Sequence, residues 1–224
     1  DCVLPVAAPG VDEVLVVDSG STDRTVDLAK ERGARVLTHA FEGHIQQKNW
    51  AAAQANGEWL LSLDADEALS PELAASICAW RADASAASVN GFRMNRLTSY
   101  CGEWVRHGGW YPDTKLRLWK AGHAQWTGEN PHDRLDMAEG DEAGFLEGDI
   151  LHYSYHSVDD HLRQIDYFSD IAAMAYQGPA WVASPFIRPI KAGFQWFKNA
   201  ILRGGWRDGT TGWTIARWSA YATA

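Results

Sequence analysis

Leu60-Leu61-Ser62-Leu63-Asp64-Ala65-Asp66-Glu67 is the stretch whose reading decides the fold. Four mostly apolar residues read as a short buried strand, and two carboxylates follow where it should end. Residues i and i+2 of a strand point to one side, so Asp64 and Asp66 are expected to converge. Ser70-Pro71-Glu72 then supplies an N-cap, a proline at the first helical position and an acid in the first turn. The acids are thereby placed in a loop beyond a strand's carboxyl end, where open α/β sheets bind ligands. Two like charges there call for a cation or neutralising partners. Oxygen donors in a loop suit Mg²⁺ or Mn²⁺, which retain waters and bind substrate phosphates. The competing reading is a solvated acidic turn that caps the next helix.

Outward from that stretch, 224 residues with 46% hydrophobic content suit one sizeable α/β domain with an appendage. The expected division is a catalytic domain over 1–185 and a helical segment over 186–224. A formal charge of −9 disfavours nucleic acid as a partner. The charge is uneven. From Phe186 onward there are six basic residues and one acidic, which leaves 14 of the 20 basic and 28 of the 29 acidic residues ahead of it. A basic tail on an acidic body suggests a surface-binding appendage. Three cysteines without a CxxC spacing fit a reducing compartment. No apolar run reaches the ~18 residues of a spanning helix. The expectation is a cytoplasmic protein, with the inner face of the cytoplasmic membrane as a surface on which it can lie.

In chain order, residues 1–10 read as the end of a helix and a Pro/Gly loop, with chain expected upstream. Val14 to Val17 is an apolar run expected of a strand covered on both faces. Asp18 to Asp23 is a turn, Thr25 to Arg32 a helix stopped by Gly33, and Arg35 to Leu37 the next strand. That is a right-handed, parallel βαβ unit. A helix over Gln47 to Gln54 precedes the acidic strand, and a helix over Pro71 to Arg81 follows it. Ala82 to Ser88 reads as a loop. Gly91 to Arg96, Leu116 to Trp119 and Gly148 to Tyr153 read as strands, and Asp159 to Tyr176 as a helix.

In a parallel sheet the loops after the first and third strands open at one edge, which places Asp18, Asp64 and Asp66 around one crevice. GxGxxG and GxxxxGK[ST] are both absent, so neither phosphate-cradling loop explains the site. An acid after a strand can instead hold a ribose or base edge while a metal takes the diphosphate.

Val16-Val17-Asp18-Ser19-Gly20-Ser21-Thr22-Asp23, Gln47-Lys48-Asn49 and Gly57-Glu58-Trp59 through Glu67 together resemble glycosyltransferase family 2. His107-Gly108-Gly109-Trp110-Tyr111-Pro112-Asp113, Lys115 to Leu118 and His152-Tyr153-Ser154-Tyr155 resemble its branch of lipopolysaccharide inner-core β-glucosyltransferases. The resemblance runs from about Val11 to Ser157. It implies a GT-A fold, a Rossmann-like mixed sheet flanked by helices, here without the family's first strand. It also implies an inverting transfer of glucose from UDP-glucose to a lipid-linked or lipopolysaccharide-core glycan. Asp18 and Ser19 would contact the nucleotide, with Lys48, Asn49, Asp64, Ala65 and Arg117 completing the donor site. Asp64 and Asp66 would be the DXD metal site for Mg²⁺ or Mn²⁺. A carboxylate must take the acceptor hydroxyl's proton. Asp133 is favoured for that role, although it stands where relatives carry glutamate; Asp113 is the alternative.

His152 is a candidate third metal ligand, against an equally good reading as a satisfied, half-buried histidine. Trp104, Trp110 and Tyr111 can stack on acceptor rings or fill the core. In the tail, Ile190, Phe194, Phe197 and Ile201 form one helical stripe, with Arg188, Lys191, Lys198 and Arg203 toward the other side. That pattern suits an anionic membrane interface or a helix packed on the catalytic domain. Two other functions compete with sugar transfer: a metal-dependent nucleotide-sugar phosphohydrolase, and a non-catalytic module binding glycan or membrane.

Overall fold

The computed structural model describes residues 11–83, 89–129, 132–175 and 186–223. The readings made for residues 1–10, for most of the Ala82 to Ser88 loop and for Tyr176 lie outside these residues. The chain divides into two compact units, one of residues 1–95 with 114–150 and one of 96–113 with 151–224.

The first unit opens with the expected βαβ. β1 (Leu15–Asp18) and β2 (Arg35–Thr38) pair in parallel, Leu15 opposite Arg35 and Asp18 opposite Thr38. α1 (Thr25–Glu31) connects them. Gly33, at φ 83°, ends it with its N–H donating to the Lys30 carbonyl. This pair is a sheet of its own. The mixed sheet of the expected fold is built from β3 onward, and among the described residues β1 and β3 do not share a sheet. β3 (Trp59–Leu61) follows α2 (His44–Gln54) and pairs antiparallel with β7 (Asp113–Lys120), Leu60 opposite Trp119. The N–H of Ser62 and the carbonyl of Glu58 extend that ladder to Arg117 and Ala121. The ladder fixes β3 in a six-stranded sheet. Its order is β3, β7, β5 (Gly91–Tyr100), β10 (Ala143–Tyr155) and β4 (Glu67–Leu69), with β6 (Glu103–Val105) on β5.

α3 (Pro71–Ala82) starts as its sequence demands, with the Ser70 Oγ accepting from the Leu73 N–H at 3.1 Å and Pro71 at the first position. Leu73 enters a core with Phe92, Met94, Leu118, Leu146 and Ile150, bordered by Trp59 and Trp80. β10 passes close beneath the start of this helix. Gly148 there has φ 103°, and a Cβ on it would collide with the Leu73 backbone. The Ser70 N–H donates to the Asp149 carbonyl at 2.9 Å, and the Asp149 N–H donates to the Ser70 Oγ at 3.2 Å.

A hairpin of β8 (Ala124–Glu129) and β9 (His132–Met137) went unread in the sequence. Trp126 and Leu135, directly paired, build a second core with Leu116 and Trp119, against Ile45, Ala52 and Leu60.

The second unit contains the β5–β6 turn, α4 (Val158–Ala175), α5 (Ile187–Phe197), a π-helical turn (Lys198–Leu202), a short 3₁₀ turn (Gly205–Asp208) and α6 (Gly209–Thr223). Tyr100, Val105 and Ile215 are its buried core, joined by Trp110, Tyr155 and Val158. Because Ile215 of α6 packs on the β5–β6 strands, the tail is part of this unit. The Asp208 carboxylate accepts from the Arg106 and His107 N–H groups at 3.1 and 2.8 Å, and meets His107 Nδ1 at 2.6 Å.

Candidate functional site

β3 ends at Leu61, three residues before Asp64, so strand pleating does not bring Asp64 and Asp66 to one side. The chain instead turns at Ala65-Asp66 and re-enters the sheet as β4. Glu67 closes that turn: its N–H donates to the Asp64 carbonyl at 2.9 Å, and its Oε2 accepts from the Asp64 N–H at 3.0 Å. The turn leaves Ala65 and Asp66 exposed and Asp64 half-buried.

Asp64 is held by two cations. Lys48, one turn into α2, places Nζ 2.9 Å from Asp64 Oδ1, and Arg117 of β7 places Nη2 3.1 Å from Oδ2. Burial raises the carboxyl's pKa, but Arg117 and Lys48 outweigh it and hold the group at about 2. Arg117 also donates to Glu67 Oε1 at 3.0 Å, an ion pair almost entirely out of solvent. The same Lys48 Nζ reaches Asp133 Oδ2 of β9 at 2.8 Å. Beneath both cations lies the Trp126 ring, 4.3 Å from Lys48 Nζ and 5.2 Å from the Arg117 guanidinium carbon. Two cations therefore face three carboxylates over one aromatic floor, and Asp66 adds a fourth acid at the exposed end of the turn.

Not every expected donor residue joins this cluster. The Asn49 amide is engaged by the Trp126 backbone: Nδ2 donates to the Trp126 carbonyl at 2.9 Å, and Oδ1 accepts from the Trp126 N–H at 3.0 Å. It pins β8 to α2 and so sets the aromatic floor. Arg117 is buried rather than presented to phosphate, because Asp64 and Glu67 draw it inward. The Asp18 carboxylate accepts from the Gly20 N–H at 2.8 Å and the Ser21 N–H at 3.0 Å, shaping the turn after β1. Hydrogen bonds from the Ser21 side chain and these two amides keep it below the usual carboxylate range. Ser19 Oγ accepts from Gln47 Nε2 at 2.9 Å, tying that turn to α2. Gln47 Oε1 meets His39 Nδ1 at 2.9 Å, and His39 stacks on Trp50.

Asp113 and His152 belong to the second unit. Arg96 Nη2 lies 2.8 Å from Asp113 Oδ2. Asp113 and Arg96 line a cavity of about 280 Å³ with Trp110, His152, Ser154 and Tyr155. Among the described residues no three His, Cys, Asp or Glu side chains gather into a metal-holding group. Asp64 and Asp66 stand in the first unit and His152 in the second. Glu67 and Trp126 are the parts of the site that the sequence reading missed. Glu67 ends the quoted acidic stretch, and its signal was an acid following two others where a β-strand resumes. Trp126 had no signal beyond its residue type.

A model of the family described as glycosyl transferase family 2 matches residues 6–140. Among curated relatives, an uncharacterized glycosyltransferase of Rickettsia felis is 49% identical over 63 residues, 28% of this chain and 22% of that protein. One of Rickettsia typhi is 31% identical over 166 residues, 70% of this chain and 56% of that protein. The chain thus spans a fifth to just over half of the length of these relatives. The lipopolysaccharide core biosynthesis glycosyltransferase LpsC of Rhizobium meliloti is 25% identical over 219 residues, 91% of this chain and 77% of that protein.

Proposed function

The chain belongs to glycosyltransferase family 2 and has its GT-A fold, and from that premise we propose that it transfers a sugar, with inversion, from a nucleotide-sugar to a glycan carried on a lipid. The observation that carries the proposal is the single ammonium of Lys48 shared by Asp64 and Asp133. It puts the first acid of the Asp-Ala-Asp turn and the favoured proton acceptor within reach of one cation. The similarity to a lipopolysaccharide core enzyme supports the choice of acceptor class, and the donor proposed with it is UDP-glucose.

In this reading Asp133 takes the proton of the attacking acceptor hydroxyl as the new glycosidic bond forms and the bond to the nucleotide diphosphate breaks. The chemistry parallels inverting glycoside hydrolysis, with the acceptor in place of water. Lys48, 2.8 Å from its Oδ2, orients Asp133 for that step. Trp126 and the Asn49 clamp hold Lys48 in place. The donor set fits Mg²⁺ or Mn²⁺: the carboxylates are hard oxygen ligands, and the exposed turn gives access to solvent at Asp66. Asp66 would hold the ion, with Asp64 behind it, and the ion would supply Lewis-acid stabilisation of the departing diphosphate.

Thermal-shift measurements with a panel of nucleotide-sugars, with and without Mn²⁺, test this reading. UDP-glucose is expected to raise the melting temperature only with the ion, by mass action on the folded state. Asp66→Asn is expected to abolish the increment without altering the unliganded melt. Equal stabilisation in a chelator would remove the metal from the proposal. Turnover of donor without acceptor at full rate would replace sugar transfer by phosphohydrolysis.

A further inference from the structure

We propose that the outward face of α5 docks on an anionic lipid bilayer, the helix lying in the plane of the surface; the inference builds on a lipid-borne acceptor as the substrate. Phe186, Ile190, Phe194, Phe197 and Ile201 recur at helical spacing and are 82, 71, 60, 45 and 41% exposed. Five large apolar side chains in one row on a soluble surface mark a site of interaction.

The helix already has its internal partner, on a different face. Asn199 and Ala200 are buried where the π-helical turn follows α5, and Trp196 lies against Trp213 of α6 at 5.6 Å. Ile190, Phe194, Phe197 and Ile201 thus stay solvent-facing while α5 packs through that other face.

Charge selects the occupant. Between Ile187 and Leu202 the basic residues are Arg188, Lys191 and Lys198, and no acid occurs. At 100° per residue Lys191 and Lys198 fall beside the apolar row. The one acid after Phe186, Asp208, has its carboxylate engaged by His107 and the Arg106 N–H. A second copy of the chain would bring the same lysines together with no carboxylate between them. An anionic headgroup layer meets both the row and its basic flank. No helix among the described residues is long and apolar enough to cross a membrane, so α5 lies on the surface. Exposed Trp206, just past the π-helical turn, is a residue type suited to the headgroup level.

Co-sedimentation of the 224-residue chain with phosphatidylcholine vesicles, with and without phosphatidylglycerol, tests the proposal. Binding is expected only with phosphatidylglycerol and falls as salt rises. Lys191→Glu with Lys198→Glu weakens it roughly 30-fold or more. Ile190→Ser with Phe194→Ser weakens it at least about tenfold, with an unchanged melting temperature because both side chains are exposed. Absence of phosphatidylglycerol-dependent binding in the parent overturns the proposal. So does a marked loss of thermal stability in the serine variant, or a dimer in the parent that the serine variant dissolves. Nucleotide-sugar stabilisation, measured on the same variants, separates this face from the donor site. Vesicle binding without any donor binding sinks the sugar-transfer reading and leaves the docking face standing.

Discussion

Lys48 joins two carboxylates that lie far apart in sequence: its Nζ is 2.9 Å from Asp64 and 2.8 Å from Asp133. The shared ammonium offsets the repulsion of two neighbouring carboxylates, and the Trp126 face lies beneath it. A cation held this way fixes the two carboxylates beside each other.

Asp133→Asn is expected to lower transfer by ~10²–10⁴-fold while donor affinity changes little, the pattern for a lost general base. Asp113→Asn, which removes the ion-pair partner of Arg96, should be milder in rate. Steady-state kinetics of the two variants, with donor binding measured separately, check this. The opposite ranking would transfer the role to Asp113.

Arg117→Met should destabilise the fold by about 3–5 kcal/mol, because it strands the Glu67 carboxylate in the core without its cation. Arg117→Met with Glu67→Gln should recover much of that loss, since the second change removes the stranded charge. Urea unfolding of the single and double variants reads the difference. A single variant within about 0.5 kcal/mol of the parent, as at an ordinary surface site, would show that this arginine is not structural.

Asn49→Ala removes both hydrogen bonds to the Trp126 backbone and leaves that N–H and carbonyl short of a partner. The expected cost is about 1–3 kcal/mol. It should appear in the melting curve of the unliganded protein. A change confined to donor affinity, with an unaltered melt, would instead make Asn49 a ligand contact.

Acid should expose the contribution of Asp64. Its pKa in the folded protein is depressed to about 2, against about 3.9 for an unperturbed aspartate. A depressed carboxylate stabilises the fold above the unfolded value and loses that contribution as pH falls through the folded one. Stability should therefore decline between about pH 4 and pH 2. Other carboxylates contribute too, so the comparison is with Asp64→Asn, whose stability should fall less steeply over that window. Parallel pH profiles for the two proteins would remove Asp64 from the account.

The elements legible in the sequence were those with local signals. Ser70-Pro71 starts α3 and Gly33 ends α1, because caps and stops act through adjacent backbone groups. β8 and β9 were not legible, since Trp126 and Leu135 are recognisable as strand residues only once each has the other opposite it. The same applies within the site. Asp64, Lys48 and Asp133 could be named from motifs, but Asn49 and Arg117 carry residue types that serve ligands and core equally. Which use applies depends on Trp126 and Glu67, and those neighbours are set by the hairpin and by the turn after Asp64.

Gly148 adds a different kind of restraint to the acidic turn. β4 and Ser70 connect that turn to α3, and α3 rests at its first turn directly on the backbone of β10. The ion pairs of Lys48 and Arg117 are attractions whose exposed parts weaken in salt. The contact at Gly148 is a hard stop, indifferent to salt and pH alike. Ionic strength can thus loosen how firmly the carboxylates are gripped without changing how far α3 can settle toward the sheet. A methyl group at residue 148 would do the reverse, lifting the helix start while every charge remained in place.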